Sequence, residues 1–151
     1  MKTYVITVSE KFPKTHNRAG EQTNFPLSIK HYDKIHTIRA NYDLWKKRFE
    51  QIDAGKAILS VRVWEGKPYN SKQQEIFRFD KSHGIGIEKL EFNNGYFNAM
   101  LVDGEYCFAD IENSIAKNDG LSFEDFENWF ADYDLTKPMA IIHFTDFRYC
   151  V

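Results

Sequence analysis

The strongest constraint on the fold is a strand-turn-strand pattern in the middle of the chain. Residues 57–64 (AILSVRVW) alternate apolar and polar side chains, which is typical of a strand with one buried face. Gly66 and Pro68 mark a turn, and residues 72–80 then have the composition of an antiparallel partner strand. The pattern predicts a β-hairpin with a long polar tip, so we expect antiparallel sheet in the fold.

Five further segments have strand-like patterns, and three have helical ones. The predicted strands are residues 1–9, 36–40, 87–92, 96–102 and 139–144. The Asn94-Gly95 pair predicts a tight hairpin turn, since both positions tolerate a positive φ. The predicted helices are residues 25–31, residues 42–53 after the N-cap Asn41, and residues 123–131 after Ser122. This order predicts an α+β fold: a small, mostly antiparallel β-barrel with two or three peripheral helices.

Composition places the chain among globular proteins. Its 151 residues fit one domain spanning residues 1–151, and the 42% hydrophobic content, with 24 aromatic residues, excludes an intrinsically disordered chain. Apolar runs are at most four residues long, so no membrane span is expected, and an N-terminus without secretory-signal features predicts a cytoplasmic location. Cys107 and Cys150 are too few for a disulfide framework and are predicted to be reduced thiols.

The net charge of −2 hides an asymmetry along the chain. Residues 1–75 carry an excess of six positive charges, whereas residues 76–151 carry an excess of eight negative charges. The two halves can neutralise each other across one fold, or the first half can form a basic face suited to phosphate. Composition leaves both alternatives open.

Most catalytic and cofactor motifs are missing. The sequence has no phosphate-binding glycine loop, no nucleophile elbow and no helical pair of histidines, so neither a metal site nor a cofactor is expected. The segment DKIHTIRANYDLW remains. Lys34, Thr37 and Arg39 can converge near the start of one strand, where a lysine with a lowered pKa would activate a hydroxyl or polarise a carbonyl. The structural alternative is a solvated Lys34, a β-branched strand residue Thr37 and an Arg39 paired with a carboxylate.

The KIHTIR segment, followed by a helix and a strand, resembles the signature of the ASCH domain, a branch of the PUA-like superfamily. The resemblance implies a small β-barrel with helices around its rim and a cleft beside the motif that binds RNA or modified nucleosides. One bacterial branch comprises amidohydrolases that deacetylate N(4)-acetylcytidine with a lysine, a threonine and a downstream glutamate. Carried over, these roles imply Lys34 as activator, Thr37 as nucleophile and Asp119, one methylene shorter than glutamate, as general acid.

The leading hypothesis is therefore an ASCH-like domain that binds RNA or a nucleoside or nucleotide in a basic cleft. Its candidate binding residues are Lys11, Lys14, Arg18, His36, Arg39, Lys46, Lys47, Trp64 and Tyr69, with the cations on phosphate and the two aromatic side chains stacked on an unpaired base. The alternatives are the acyl-amide hydrolase and a protein-interaction domain without a nucleic-acid ligand. The sequence leaves open whether the chain is an enzyme.

Overall fold

Seven β-strands and four α-helices form the structure, a computed structural model that describes residues 1–150. The strands are β1 (Lys2–Thr7), β2 (His36–Ala40), β3 (Ala57–Trp64), β4 (Gln73–Phe79), β5 (Gly86–Phe92), β6 (Met100–Val102) and β7 (Met139–His143). The helices are α1 (Phe25–Lys30), α2 (Tyr42–Asp53), α3 (Ile111–Asn118) and α4 (Phe123–Phe130). The predicted α+β class is confirmed. No helix within the described part of the chain has the length and apolar character needed to cross a membrane.

The strands pair into two sheets. The first has the order β1-β3-β4, with β1 parallel to β3 and β3 antiparallel to β4, which confirms the predicted hairpin. The second has the order β2-β7-β5-β6 and is antiparallel throughout. Strand pairing within residues 1–150 leaves both sheets open, so the closed barrel stays a prediction.

Two local predictions differ from the structure. Helix α3 was not predicted, because its buried face shows only Ile111, Ile115 and Ala116, too short a pattern to reveal a helical period. The turn at Asn94-Gly95 forms as predicted, with φ values of 57° and 75°, but the strand predicted over residues 96–102 begins only at Met100. Phe97 packs against Phe92 and Phe126, so the chain turns toward the core before it pairs with β5.

The predicted reduced thiols are also wrong. Cys107 and Cys150 form a disulfide across 43 residues of sequence, with their Cα atoms 5.3 Å apart. Their spacing carries no motif, and only the fold brings the C-terminal segment beside the loop that follows β6. The bridge fastens the segment that contains Tyr149, a buried residue next to the candidate site.

Candidate ligand-binding site

Lys34 and Asp119 come together where the turn before β2 forms backbone hydrogen bonds with the end of α3. The turn before β2 lies against the end of α3: the Ile35 amide donates to the carbonyl of Asn118 over 2.9 Å, and Lys34 and Asp119 face each other in an isolated β-bridge. Gly120 follows with a φ of +83°, a conformation that favours glycine. A Cβ there would lie 3.3 Å from both the Lys34 Cβ and the Phe25 ring, so glycine also permits the close approach.

Lys34 and Asp119 form a buried ion pair. The Lys34 ammonium donates to the Asp119 carboxylate over 2.9 Å and to the Asp119 backbone carbonyl over 2.7 Å, and it lies 4.2 Å from the centre of the Phe25 ring. The two side chains are only 1% and 5% exposed. Burial lowers the pKa of Lys34, and the charge of Asp119 offsets part of this shift. For Asp119, burial opposes ionisation, but the Lys34 charge and the His36 hydrogen bond outweigh it, so its pKa lies below the usual value.

A chain of hydrogen-bonded polar groups holds the Asp119 carboxylate in position. Asn118 donates to the Tyr149 hydroxyl oxygen over 3.1 Å, and that hydroxyl lies 2.6 Å from Nε2 of His36. Burial lowers the pKa of His36, so the ring is neutral and its Nε2 accepts from Tyr149. The ring proton then sits on Nδ1, which faces the Asp119 carboxylate at 3.4 Å. His36 therefore orients the Asp119 carboxylate.

Lys34, Thr37, Arg39 and Asp119 line one small cavity, together with aromatic side chains that include Phe25 and Trp129. Its volume is about 20 Å³, which holds about one water molecule. The half-buried Arg39 side chain donates to the carbonyl of Thr7 over 2.5 Å, which fixes the guanidinium at the cavity wall. The cavity therefore offers an ammonium, a hydroxyl and a guanidinium to one polar group of a ligand.

Lys34 also contributes to the wall of a second, larger cavity. This groove has a volume of about 350 Å³ and is bounded by the turn after α1, strand β4 and the segment after β7. It is wide enough for a small organic ligand, whereas the first cavity is not.

A second buried polar pair was not predicted from the sequence. Glu88 accepts hydrogen bonds from Nε2 of His143 over 2.8 Å and from the Tyr149 amide over 3.1 Å. Burial lowers the pKa of His143 to about 4. Burial opposes ionisation of Glu88, but the His143 and Tyr149 hydrogen bonds outweigh it and hold its pKa below the usual value. One sequence signal was available: Glu88 is in phase with Leu90 and Phe92 on the buried face of β5.

The other predicted binding residues lie away from the small cavity. Arg18 is bound to Asp125 at 2.6 Å and Glu21 at 3.3 Å, so nearby carboxylates neutralise its charge. Trp64 and Tyr69 pack together at the tip of the β3-β4 hairpin, with ring centres 5.2 Å apart. Four exposed lysines lie outside the cavity lining, two in the loop after β1 and two on α2: Lys11, Lys14, Lys46 and Lys47. The cations that reach the cavity are Lys34 and Arg39.

No protein-family model, curated protein or solved structure matches the chain. Among residues 1–150, no group of three or more histidine, cysteine, aspartate or glutamate side chains is arranged to hold a metal ion. The candidate site is therefore described by the geometry of its own residues.

Proposed function

We propose that the chain is an ASCH-like domain of PUA-like barrel type, and that it binds RNA or a modified nucleoside through Lys34. One observation carries the proposal: the buried Lys34–Asp119 pair opens on a cavity that Thr37 and Arg39 also line. An ion pair withdrawn from water costs desolvation free energy and is weak evidence for stability. Its position at a cavity wall therefore supports a role in ligand recognition.

The polar groups of the cavity suit a carbonyl oxygen. Lys34 and Arg39 are hydrogen-bond donors without acceptor capacity, and the Thr37 hydroxyl donates or accepts. Pyrimidine bases and their acetylated forms present such oxygens at the edge of a flat ring. Because the cavity holds about one water molecule, it receives one such group and not the whole base.

Equilibrium binding tests the proposal. Trp129 lines the cavity, so its fluorescence reports occupancy when cytidine, N(4)-acetylcytidine or single-stranded RNA is added at low salt. Lys34→Arg keeps the charge beside Asp119 but changes the donor geometry, and we expect binding to weaken about 10- to 150-fold, the range for a hydrogen bond to a charged group. The control is Lys56→Ala, an exposed position that lines neither cavity and is not among the candidate binding residues.

The outcome separates the candidate ligands. Nucleoside binding with little salt dependence identifies the base as the recognised group, whereas a steep loss with salt identifies contacts to phosphate. If none of the three ligands binds, the proposal fails and the protein-interaction hypothesis is favoured.

A second candidate function is the acyl-amide hydrolase, because Lys34, Thr37 and Asp119 all reach the same cavity. In this reaction the Lys34 ammonium first gives a proton to Asp119, and the Thr37 oxygen then attacks the acetyl carbon of N(4)-acetylcytidine while its own proton passes to the neutral Lys34 amine. The C–N bond breaks, cytidine leaves after protonation, and water hydrolyses the acetyl-threonine ester to acetate. The lowered pKa of Asp119 keeps its carboxylate ionised at rest, so it has to take a proton from Lys34 before it serves as the acid.

Thr37→Val tests this reaction, because it removes the hydroxyl and keeps the β-branched shape. We expect release of acetate, followed by mass spectrometry, to stop in Thr37→Val and to continue in Thr3→Val, an exposed change on β1. Equal turnover by both variants would exclude Thr37 as the nucleophile.

A further inference from the structure

The groove next to the small cavity has a wall of aromatic rings. Phe77 and Phe79 lie two residues apart on one face of β4, with ring centres 6.0 Å apart and planes 12° apart. Phe79 packs in the same way on Phe144, which follows β7, at 5.7 Å and 14°. The three rings form a nearly parallel row that joins the two sheets, and all three line the groove.

The rim of the groove carries charges of both signs. Lys30 at the end of α1 and Asp146 after β7 are exposed and line the groove, as does His83. A track for a nucleic-acid backbone is dominated by positive charge, because each phosphate is an anion. The mixed rim is better matched to one uncharged ligand that has both donor and acceptor groups.

Tyr32 adds a further aromatic side chain to the groove lining. Its φ is 62°, an unusual value for a bulky residue, and the side chain is 74% exposed. This conformation ends helix α1 in a Schellman motif, in which the Asp33 amide donates to the Ser28 carbonyl over 2.8 Å and the Tyr32 amide donates to the Ile29 carbonyl over 3.2 Å. The exposed ring extends the aromatic lining beyond the phenylalanine row.

We propose that this groove is a base-binding site, in which the flat ring of a nucleoside packs against Phe79 and its neighbours. Lys34 is common to the linings of both cavities, so a base in the groove lies beside Lys34. The choice of a nucleoside rests on the proposed function, whereas the aromatic row, the mixed charges and the volume of about 350 Å³ belong to the groove itself. The groove thus holds the part of the ligand that the small cavity cannot.

The test is NMR titration with cytidine and N(4)-acetylcytidine, observed at the phenylalanine ring protons and at backbone amides. We expect the ring signals of Phe77, Phe79 and Phe144 to shift together with Lys34. Loss of base stacking corresponds to about 5- to 150-fold weaker binding, so we expect Phe79→Leu to weaken affinity at least about fivefold. The matched control is Phe97→Leu, which changes a half-buried phenylalanine that does not line the groove.

Tyr32→Ala is the second variant, because this exposed side chain is removed without opening the core. We expect it to weaken binding with an unchanged unfolding midpoint. Shifts confined to the small cavity, with full affinity in Phe79→Leu and Tyr32→Ala, would overturn the groove proposal and leave the proposed function intact. Absence of any nucleoside-induced shift would overturn both.

Discussion

The molecule buries two carboxylates in different ways. Asp119 is paired with the Lys34 ammonium, and this pair opens on a cavity. Glu88 is paired with His143, whose pKa of about 4 makes it a neutral imidazole at pH 7, and neither residue lines the small cavity or the groove. A buried carboxylate is therefore not by itself a sign of a binding site. Access to a cavity and a charged partner distinguish Asp119 from Glu88.

Tyr149 connects the two pairs. Its hydroxyl lies 2.6 Å from His36, behind Asp119, and its amide donates to Glu88 over 3.1 Å. The neighbouring Cys150 is bridged to Cys107. The geometry of both pairs thus depends on the position of one C-terminal segment.

The largest effect on stability is expected at the Lys34–Asp119 ion pair. Lys34→Met leaves the buried Asp119 carboxylate without its counter-charge, and we expect a loss of about 3–5 kcal/mol in the free energy of unfolding, measured by urea denaturation. Lys34→Met/Asp119→Leu replaces the ion pair by apolar side chains and should recover most of this loss. A small loss in Lys34→Met would show that the pair is not desolvated.

The next largest effect on stability is expected at the disulfide that fastens the C-terminal segment containing Tyr149. Cys107→Ser/Cys150→Ser removes a bridge that closes a loop of 43 residues, and we expect a loss of about 2–4 kcal/mol in unfolding free energy. Because the bridge fastens the segment that holds Tyr149, hydrogen exchange at the Tyr149 amide should accelerate. Unchanged exchange there would show that packing alone holds the segment.

His143 predicts a pH dependence of stability. Its pKa is about 4 in the folded chain and 6.5 ordinarily, so the unfolded chain binds more protons between these values. The contribution of neutral His143 to the free energy of unfolding is then fully present above pH 6.5. It is lost as the pH falls toward 4, by about 1.4 kcal/mol per pH unit at most. Urea denaturation between pH 7 and 4.5 measures the slope, which His143→Gln should reduce. Burial also lowers the pKa of His36, so part of the slope should remain.

The smallest effect is expected at the second carboxylate. Glu88→Gln keeps an acceptor for His143 and Tyr149, and its partner is neutral, so we expect a loss of about 1–3 kcal/mol in unfolding free energy. Nucleoside affinity should not change, since Glu88 lines neither cavity. Weaker nucleoside binding in Glu88→Gln would contradict the assignment of this pair to structure alone.

Local patterns predicted most of the secondary structure. Strands β2 and β3 and helix α2 have the predicted bounds, because alternation and helical periodicity are strong over these segments. Asn41 and Ser122 cap α2 and α4 as predicted, since capping depends on residues three apart. Helix α3 and the pairing of β1 with β3 were not predicted, because the first has a short pattern and the second depends on distant residues.

For the site, the residue pattern selected Lys34, Thr37 and Arg39, the family resemblance implied Asp119, and the structure brings all four to one cavity. The sequence did not indicate the phenylalanine row of the groove, because residues 77, 79 and 144 meet only when the two sheets pack. Sequence reasoning also predicted a basic cleft that includes Arg18, whereas in the structure Arg18 is paired with Asp125, more than a hundred residues away in sequence.

The sequence by itself determined the α+β composition, the positions of most strands and helices, and the residue types of the candidate site. These properties depend on neighbours within a few positions, where propensity and periodicity act. The tertiary structure decided how deeply the Lys34–Asp119 pair is buried, which charges are neutralised, how the cysteines pair and where a groove opens. Those outcomes depend on contacts between residues far apart in sequence, which local patterns do not encode.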